Sequence, residues 1–332
     1  MIKLVFFLLL SVFTAVCSFG QTVSNVDAYQ EGKNIIITYD IDKLGFVDLV
    51  NCSTDGGCTW GAPLQHVSGD VNKQVPAGSH RIVWDVLSEH EKFEGANICF
   101  KVVANSGKFT VNGVSFEMVR VEGGTFRMCA TSEQEDDADS DEKPVHSVTL
   151  SSYYIGKTEV TQALWQAVMG SNPSYFKGAD LPVECVSWND CQEFIQKLNR
   201  LTGRNFRLPT EAEWEFACRG GNKSNGYKYS GSNDIDNVAW YDGYSGAHPV
   251  GTKAPNELGI YDMSGNVWEW CSDWYADYTS YSQTDPTGPQ SGSYRVSRGG
   301  SWISYARGCR SSYRLSYDPT YRCNSLGLRL AL

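Results

Sequence analysis

The sequence predicts an α+β protein in two parts. A small all-β sandwich of immunoglobulin or fibronectin type comes first, and a larger α+β domain with long irregular stretches follows. Three observations predict this. Residues 22–104 hold short runs rich in β-branched and aromatic residues, separated by turn clusters. Between 161 and 221 three stretches space their apolar residues as helices do. After Gly220 that periodicity gives way to Gly, Asn, Asp, Trp and Tyr. The 332 residues suffice for one large domain or two ordinary ones, and 20% charged with 41% hydrophobic residues describes a globular chain. The 10 Trp, 18 Tyr and 32 Gly suit a loop-rich fold braced by large flat side chains.

The first residues read MIKLVFFLLLSVFTAVCSFGQ. Lys3 is a short positive start, and Leu4 to Val16 form an apolar core too short to span a bilayer. Small residues at Ser18 and Gly20 precede Gln21, as signal peptidase prefers. Residues 1–20 are therefore expected to be a signal peptide, with export to the periplasm, cell surface or medium. Lipoprotein anchoring through Cys17 is the alternative; Val16 opposes it, since a small residue normally precedes a lipidated cysteine. No later stretch is apolar enough for a transmembrane segment.

Residues 21–104 form the predicted sandwich. Its strands are NIIITYDI (34–41), GFVDLV (45–50), HRIVWDV (80–86) and NICFKVVA (97–104), with turn clusters STDGG, VPAG and EGAN near or between them. ANSGK marks the exit, and 105–110 is read as a linker. The second domain, 111–332, opens with SFEMVRVEGGTFRM, which reads as a hairpin around Gly123 and Gly124. SEQEDDADSDEKPVH (132–146) reads as a solvated acidic loop.

Three helices follow. In TQALWQAVMG (161–170) Leu164, Trp165 and Val168 share a face and Gly170 stops the helix. In NDCQEFIQKLNRLTG (189–203) Asn189 is the expected N-cap, Phe194, Ile195, Leu198 and Leu201 form the stripe, and Gly203 ends it. PTEAEWEFACRGG (209–221) opens with Thr210 and Glu213 at capping-box spacing. The irregular remainder has to be pinned by side-chain hydrogen bonds, disulfides or a metal.

Of the 11 cysteines one, Cys17, falls in the leader, which leaves ten. An even number in an exported chain points to disulfides, with their pairing open; Cys52 and Cys58 could clip the STDGG loop locally. No C-x-x-C pair supports zinc. The net charge of −10 argues against sequence-independent nucleic-acid binding.

Six stretches, IGKTEVTQALWQAVM, VSWNDCQEF, RLPTEAEWEFACRGG, GIYDMSGNVWEWCSDWY, RGGSW and SLGLRLAL, occur in the order seen in the formylglycine-generating, or sulfatase-modifying-factor, family. The resemblance covers roughly 111–332. It implies an α+β fold distantly similar to C-type lectins, with little regular structure. The N-terminal sandwich lies outside it and resembles an accessory module of secreted bacterial proteins.

Active members oxidise a sulfatase cysteine to formylglycine with copper, dioxygen and two cysteines. Two soft thiolates suit Cu(I) and leave room for the substrate thiol. Carried onto this chain, one family cysteine falls on Cys309 and the other on Ser304, the neighbouring serine on Ser301 and the active-site tryptophan on Trp268. A neutral, hard hydroxyl is a weak donor for Cu(I). Cys309 is thus either the remnant of a copper site or a buried or disulfide-bonded structural cysteine.

The resemblance also implies calcium held by the Asp262 carboxylate, the Gly265 and Val267 carbonyls and the Glu269 carboxylate, hard oxygens that suit the ion. The alternative is that Asp262 caps a turn and Glu269 pairs with an arginine. A second calcium set would use Asn237 and Val238, but its other half falls in YSGAHPVG, which has no aspartate. Family members that make thiol–histidine sulfur compounds use an iron-binding His-x-x-x-His-x-Glu motif. The histidines here, at 66, 80, 90, 146 and 248, lack that spacing. Three functions are expected from these residues. The first is a calcium-stabilised module binding a protein or glycan partner or serving a surface assembly. The second is a copper oxidase acting on a sulfatase, and the third a lectin-like glycan binder.

Overall fold

A computed structural model describes residues 23–332, apart from 43, 44, 72, 91, 92, 94–96, 106, 135, 136 and 244. The predicted signal peptide and Cys17 lie outside these residues. The chain divides into two compact units at Lys108 and Phe109. Among the described residues no helix is long and apolar enough to cross a membrane.

The first unit contains β1 (Val23–Glu31), β2 (Asn34–Ile41), β3 (Gly45–Ser53), β4 (Val67–Gly69), β5 (Lys73–Val75), β6 (Gly78–Trp84), a single-turn helix α1 (Val86–Glu89) and β7 (Cys99–Asn105). One sheet has the order β1-β2-β6-β4 and the other β5-β3-β7, both antiparallel. The alternation read in NIIITYDI sends Ile35, Ile37, Tyr39 and Ile41 into a core shared with Val47, Val50 and Val102 of the second sheet. Trp84 is fully buried edge-on against Phe93, and its Nε1 donates to Glu89 Oε1 at 2.9 Å. HRIVWDV is strand only as far as Trp84; Asp85 turns the chain and Val86 opens α1. Cys52 and Cys58, like the other eight described cysteines, are free thiols. The loop between them is closed instead by Asp55, which accepts from the Thr59 N–H at 2.9 Å and the Thr59 hydroxyl at 2.6 Å. Around the expected linker, β7 runs to Asn105 and the next strand opens at Lys108.

The second unit contains β8 (Lys108–Val111), β9 (Val114–Val121), β10 (Gly124–Met128), β11 (His146–Leu150), β12 (Tyr153–Gly156), α2 (Gln162–Met169), α3 (Trp188–Thr202), α4 (Glu211–Cys218), β13 (Trp268–Trp274), β14 (Gln283–Thr284), β15 (Arg295–Arg298), β16 (Arg314–Tyr317) and β17 (Leu326–Leu328). Its sheets are β12-β9-β8, β10-β11-β14 and β16-β15-β13-β17. The hairpin expected around Gly123 and Gly124 is not formed, since β9 pairs with β12 and β10 with β11. The two glycines carry the chain from one sheet to the next. A Cβ on Gly123 would lie 2.5 Å from the Leu150 carbonyl oxygen, and one on Gly124 2.1 Å from Asn222 Oδ1.

All three helices form. α2 is capped by Thr161, whose hydroxyl accepts from the Leu164 N–H, and ends at Gly170 in the left-handed region. α3 is capped by Ser187 with Asp190 in a capping box, two residues before the expected Asn189, and Leu201 is 52% exposed rather than on the buried stripe. Trp165 of α2 stacks on Phe194 of α3 at 4.8 Å. α4 has the predicted Thr210–Glu213 capping box, yet every residue from Glu211 to Cys218 is buried. A helix buried all round must pair its carboxylates. Glu211 accepts from Arg314 at 2.7 and 2.9 Å, Glu213 from Arg207 at 2.6 Å and Glu215 from Arg298.

Buried arginines hold the irregular half. Arg298 also donates to the Ser312 and Ser311 carbonyls, Arg314 to the Ala276 carbonyl, and Arg329 to the Gly156 and Tyr261 carbonyls. The acidic run supplies several counter-ions and is therefore not a solvated loop. Glu142 is fully buried against Arg310, Glu133 pairs with Arg219, and Asp139 pairs with Arg307.

Candidate functional site

The site is built on the segment between β15 and β16. Gly299 and Gly300 have φ of 99° and 77°, a turn that only glycine enters freely. A Cβ on Gly300 would lie 2.6 Å from Cys309 Sγ, so the glycine is what lets the thiol approach the backbone. Cys309 ends a short 3-10 turn, Ala306–Cys309, and has no exposure to solvent. Its thiol packs with Tyr229, Ile235, Val238 and Ala239. Burial pushes it up to about 12, despite hydrogen bonds from the Ser301 and Gly265 backbones, so it is a thiol at neutral pH.

Ser304 faces Ser301. Their hydroxyl oxygens are 3.1 Å apart, the Ser301 N–H donates to Ser304 Oγ at 3.0 Å, and the Ser304 N–H donates to the Ser301 carbonyl at 2.9 Å. Ser304 Oγ is thus tied into a closed turn. Ser301 and Ser304 thus touch each other, while Cys309 lies buried beneath Gly300, the residue before Ser301. Trp268, nearly buried, opens β13, and its ring lies 6.0 Å from that of Tyr313. Beside the turn, Trp302 donates from Nε1 to the Asn324 carbonyl at 3.1 Å and meets Phe176 edge-on at 5.5 Å.

The predicted calcium loop takes up left-handed φ at Asp262 (57°), Gly265 (82°) and Asn266 (60°). Asp262 Oδ2 accepts from the Gly251 N–H at 2.7 Å, while Oδ1 is buried with no hydrogen-bond partner. Burial pushes Asp262 up to about 6. Glu269 is a different matter. Arg329 holds both its oxygens, at 2.7 and 2.9 Å, and Trp214 Nε1 donates to Oε2 at 2.7 Å. In this arrangement Glu269 is paired with an arginine, the alternative that the sequence left open.

A third carboxylate, Glu159, was not singled out from sequence. It accepts from the Asn266 side chain at 2.7 Å and the Val267 N–H at 3.0 Å. Burial first, then Asp262 and Glu269, drive its pKa well upward. Asp262 Oδ1, left without a hydrogen-bond partner beside Glu159, Glu269 and the Arg329 guanidinium, is the observation that fits a cation. Among the described residues no three His, Cys, Asp or Glu side chains converge as metal ligands. Asn237 donates to Asp234 Oδ2 at 3.1 Å, its carbonyl accepts from the Ala254 N–H at 3.0 Å, and Val238 is packed beside Cys309.

The model of the sulfatase-modifying factor enzyme 1-like domain matches residues 105–332. The chain belongs to the sulfatase-modifying factor family. It is 36% identical to a chaperone protein, LppX, of Paenibacillus barcinonensis, over 68% of this chain and 92% of that one. It is 35% identical to the formylglycine-generating enzyme of Mus musculus, over 53% of this chain and 54% of that enzyme, so it spans about half that relative's length. Among solved structures, Treponema denticola variable protein 1 is similar, with a TM-score of 0.61, 37% identity, and coverage of 68% of this chain and 97% of the other. PvdO of Pseudomonas aeruginosa gives a TM-score of 0.58 at 26% identity, covering 69% and 99%.

Proposed function

We propose that this chain is an exported, non-oxidase member of the sulfatase-modifying factor family that binds a protein partner through the face around Ser304, with calcium stabilising the domain. The observation that carries the reading is Ser304, its hydroxyl bonded to Ser301 where an active relative needs a second thiolate. The remaining thiol, Cys309, is buried and protonated. Copper needs soft, deprotonated ligands, and this pocket offers neither a pair nor an ionised one.

Two further facts support a binding role. Ile303 and Tyr305, which flank Ser304, are 62% and 72% exposed. Two large exposed side chains on one short segment supply apolar area that a partner could cover. One relative, matched over 92% of its length, is named a chaperone protein. The oxidase reading would require the Ser304 pocket to bind copper with a single thiol. For calcium, Asp262 Oδ1 supports the reading, with the Gly265 and Val267 carbonyls as its companions. The N-terminal unit, two antiparallel sheets on one core, is read as the accessory sandwich.

The test is a Cys-x-Pro-x-Arg peptide incubated in air with the full chain and Cu(I), followed by mass spectrometry. No aldehyde is expected. Aldehyde formation that disappears in Cys309→Ala would establish the oxidase instead.

A further inference from the structure

We propose that Cys185 and Cys323 form a disulfide that ties the turn entering α3 to the segment leading into β17 and braces the aromatic side of the Ser304 pocket. The Cys185 N–H donates to the Cys323 carbonyl at 2.9 Å. Residues joined by one such bond between adjacent segments have Cα atoms roughly 5 to 6 Å apart, within the roughly 4.4–6.8 Å that a disulfide spans. The two thiols lie close enough for Cys323 to raise the pKa of Cys185. Both are half-buried, whereas Cys129, Cys191, Cys218, Cys271 and Cys309 are sealed in the core. Cys185 also has φ of 59°, a region that residues other than Gly, Asn and Asp seldom enter. A cross-link accounts for a cysteine held there.

Each end of the bond reaches the same ring. On the Cys323 side, the next carbonyl, Asn324, accepts from Trp302 Nε1, and the one after, Ser325, accepts from the Trp268 N–H at 2.8 Å. On the Cys185 side, Glu184 Oε1 accepts from the Phe176 N–H at 2.8 Å, and Phe176 lies edge-on to Trp302. The bond would therefore fasten the two walls that hold Trp302, the neighbour of Ser301.

The residues also set the order of the exchange. Burial, and after it the hydrogen bond to Glu184, push Cys185 up to about 12, so it does not start the reaction. Cys323, half-exposed and with Ser325 Oγ 3.4 Å from its sulfur, attacks a small-molecule or oxidoreductase disulfide and releases one thiolate. The thiolate released in that step takes the Cys185 proton. Cys185 then attacks Cys323 Sγ and releases the second thiolate. Two protein thiols become one disulfide, and the oxidant's disulfide becomes two thiols.

The experiment uses the reduced full chain, incubated with oxidised glutathione, alkylated under denaturing conditions and mapped as unreduced peptides. The expected result is a Cys185–Cys323 peptide pair lighter by two hydrogens. Closing so long a loop should raise the melting temperature on the order of 10 °C. That gain should vanish in Cys185→Ser and in Cys323→Ser, with the double variant no worse than either. Recovery of both residues as alkylated thiols, or a link from either to another cysteine, overturns the proposal. Neither outcome depends on whether Ser304 tolerates copper.

Discussion

The Arg310 guanidinium grips both oxygens of Glu142, Nη1 to Oε2 at 2.8 Å and Nη2 to Oε1 at 2.5 Å, and neither side chain has any exposure. Arg310 directly follows Cys309, and Glu142 comes from the acidic run, so the pair locks the candidate pocket to a segment 168 residues away. The Ser312 hydroxyl also donates to Glu142, and the Arg310 Nε donates to the Arg307 carbonyl at 2.8 Å. The lone pairs and protons of the pair are thereby largely used, which is the condition under which a buried ion pair survives its desolvation.

Removing one partner leaves a buried charge alone. Glu142→Gln should lose about 3–5 kcal/mol of unfolding free energy in urea titrations. Replacing both partners, Glu142→Leu with Arg310→Met, should recover most of the loss, since the desolvation cost goes with the charges. Asp137→Asn, which removes a surface partner of Lys228, is the control and should change stability by less than about 1 kcal/mol. A Glu142→Gln loss no larger than the control's would remove the structural role assigned to the pair.

Local signals in the sequence were legible, and remote ones were not. The Thr210–Glu213 capping box and the Gly170 and Gly203 stops depend on neighbours within a few residues. The burial of Glu211 depends on Arg314, 103 residues on, and Glu159 meets Asn266 107 residues on. Nothing in TEAEW or GKTEV announces those partners. The acidic run looked solvated for the same reason: its arginines lie in distant motifs. Within the pocket, Ser301, Ser304 and Cys309 share one short segment, so their proximity could be read; the ion pair that occupies Glu269 could only be left as an alternative.

Asp273 should make stability fall as pH rises. Burial, with Glu211 nearby, pushes it up to about 7, while Oδ2 accepts from the Glu211 N–H at 2.9 Å and the Ser272 hydroxyl at 3.0 Å. Glu213 also faces it, as do Arg207 and Arg295. Below pH 4 the folded and unfolded states both hold the proton. Between about 4 and 7 only the folded state does, so this group's contribution is lost as pH climbs through that window. Asp273→Asn should therefore gain on wild type from pH 4 to pH 7 in denaturation experiments. A difference that does not vary with pH would mean Asp273 is ionised throughout.

Calcium should raise the melting temperature through Asp262. A ligand that binds only the folded state adds about 2.7 kcal/mol at a hundredfold excess over its Kd. Asp262→Asn should abolish the calcium shift and leave the apo protein folded, because Oδ1 has no protein partner to lose. Glu269→Gln should instead destabilise the protein with or without calcium, because it removes the Arg329 counter-ion. Equal melting temperatures in calcium and chelator would eliminate the ion from the account.

Restoring a thiol at 304 should restore copper. Gly308 leaves room beside that side chain, since a Cβ built on it would lie 3.5 Å from Ser304 Cβ, and the Ser301 N–H already points at Ser304 Oγ. A cysteine there gives Cu(I) two soft ligands on one short segment. Metal binding can then displace the Cys309 proton, which a single buried thiol with a pKa of about 12 holds against a weak site. In an anaerobic titration against a Cu(I) chelator, wild type should retain no stoichiometric copper and Ser304→Cys should retain one equivalent. Adding Cys309→Ala to Ser304→Cys should return it to none. Copper retained by wild type would mean that a ligand outside this segment completes the site, and the non-oxidase reading would fall. Copper refused by Ser304→Cys would mean that the packing of Tyr229, Ile235 and Val238 around Cys309 has closed the pocket to metal, leaving partner binding as the role of that face.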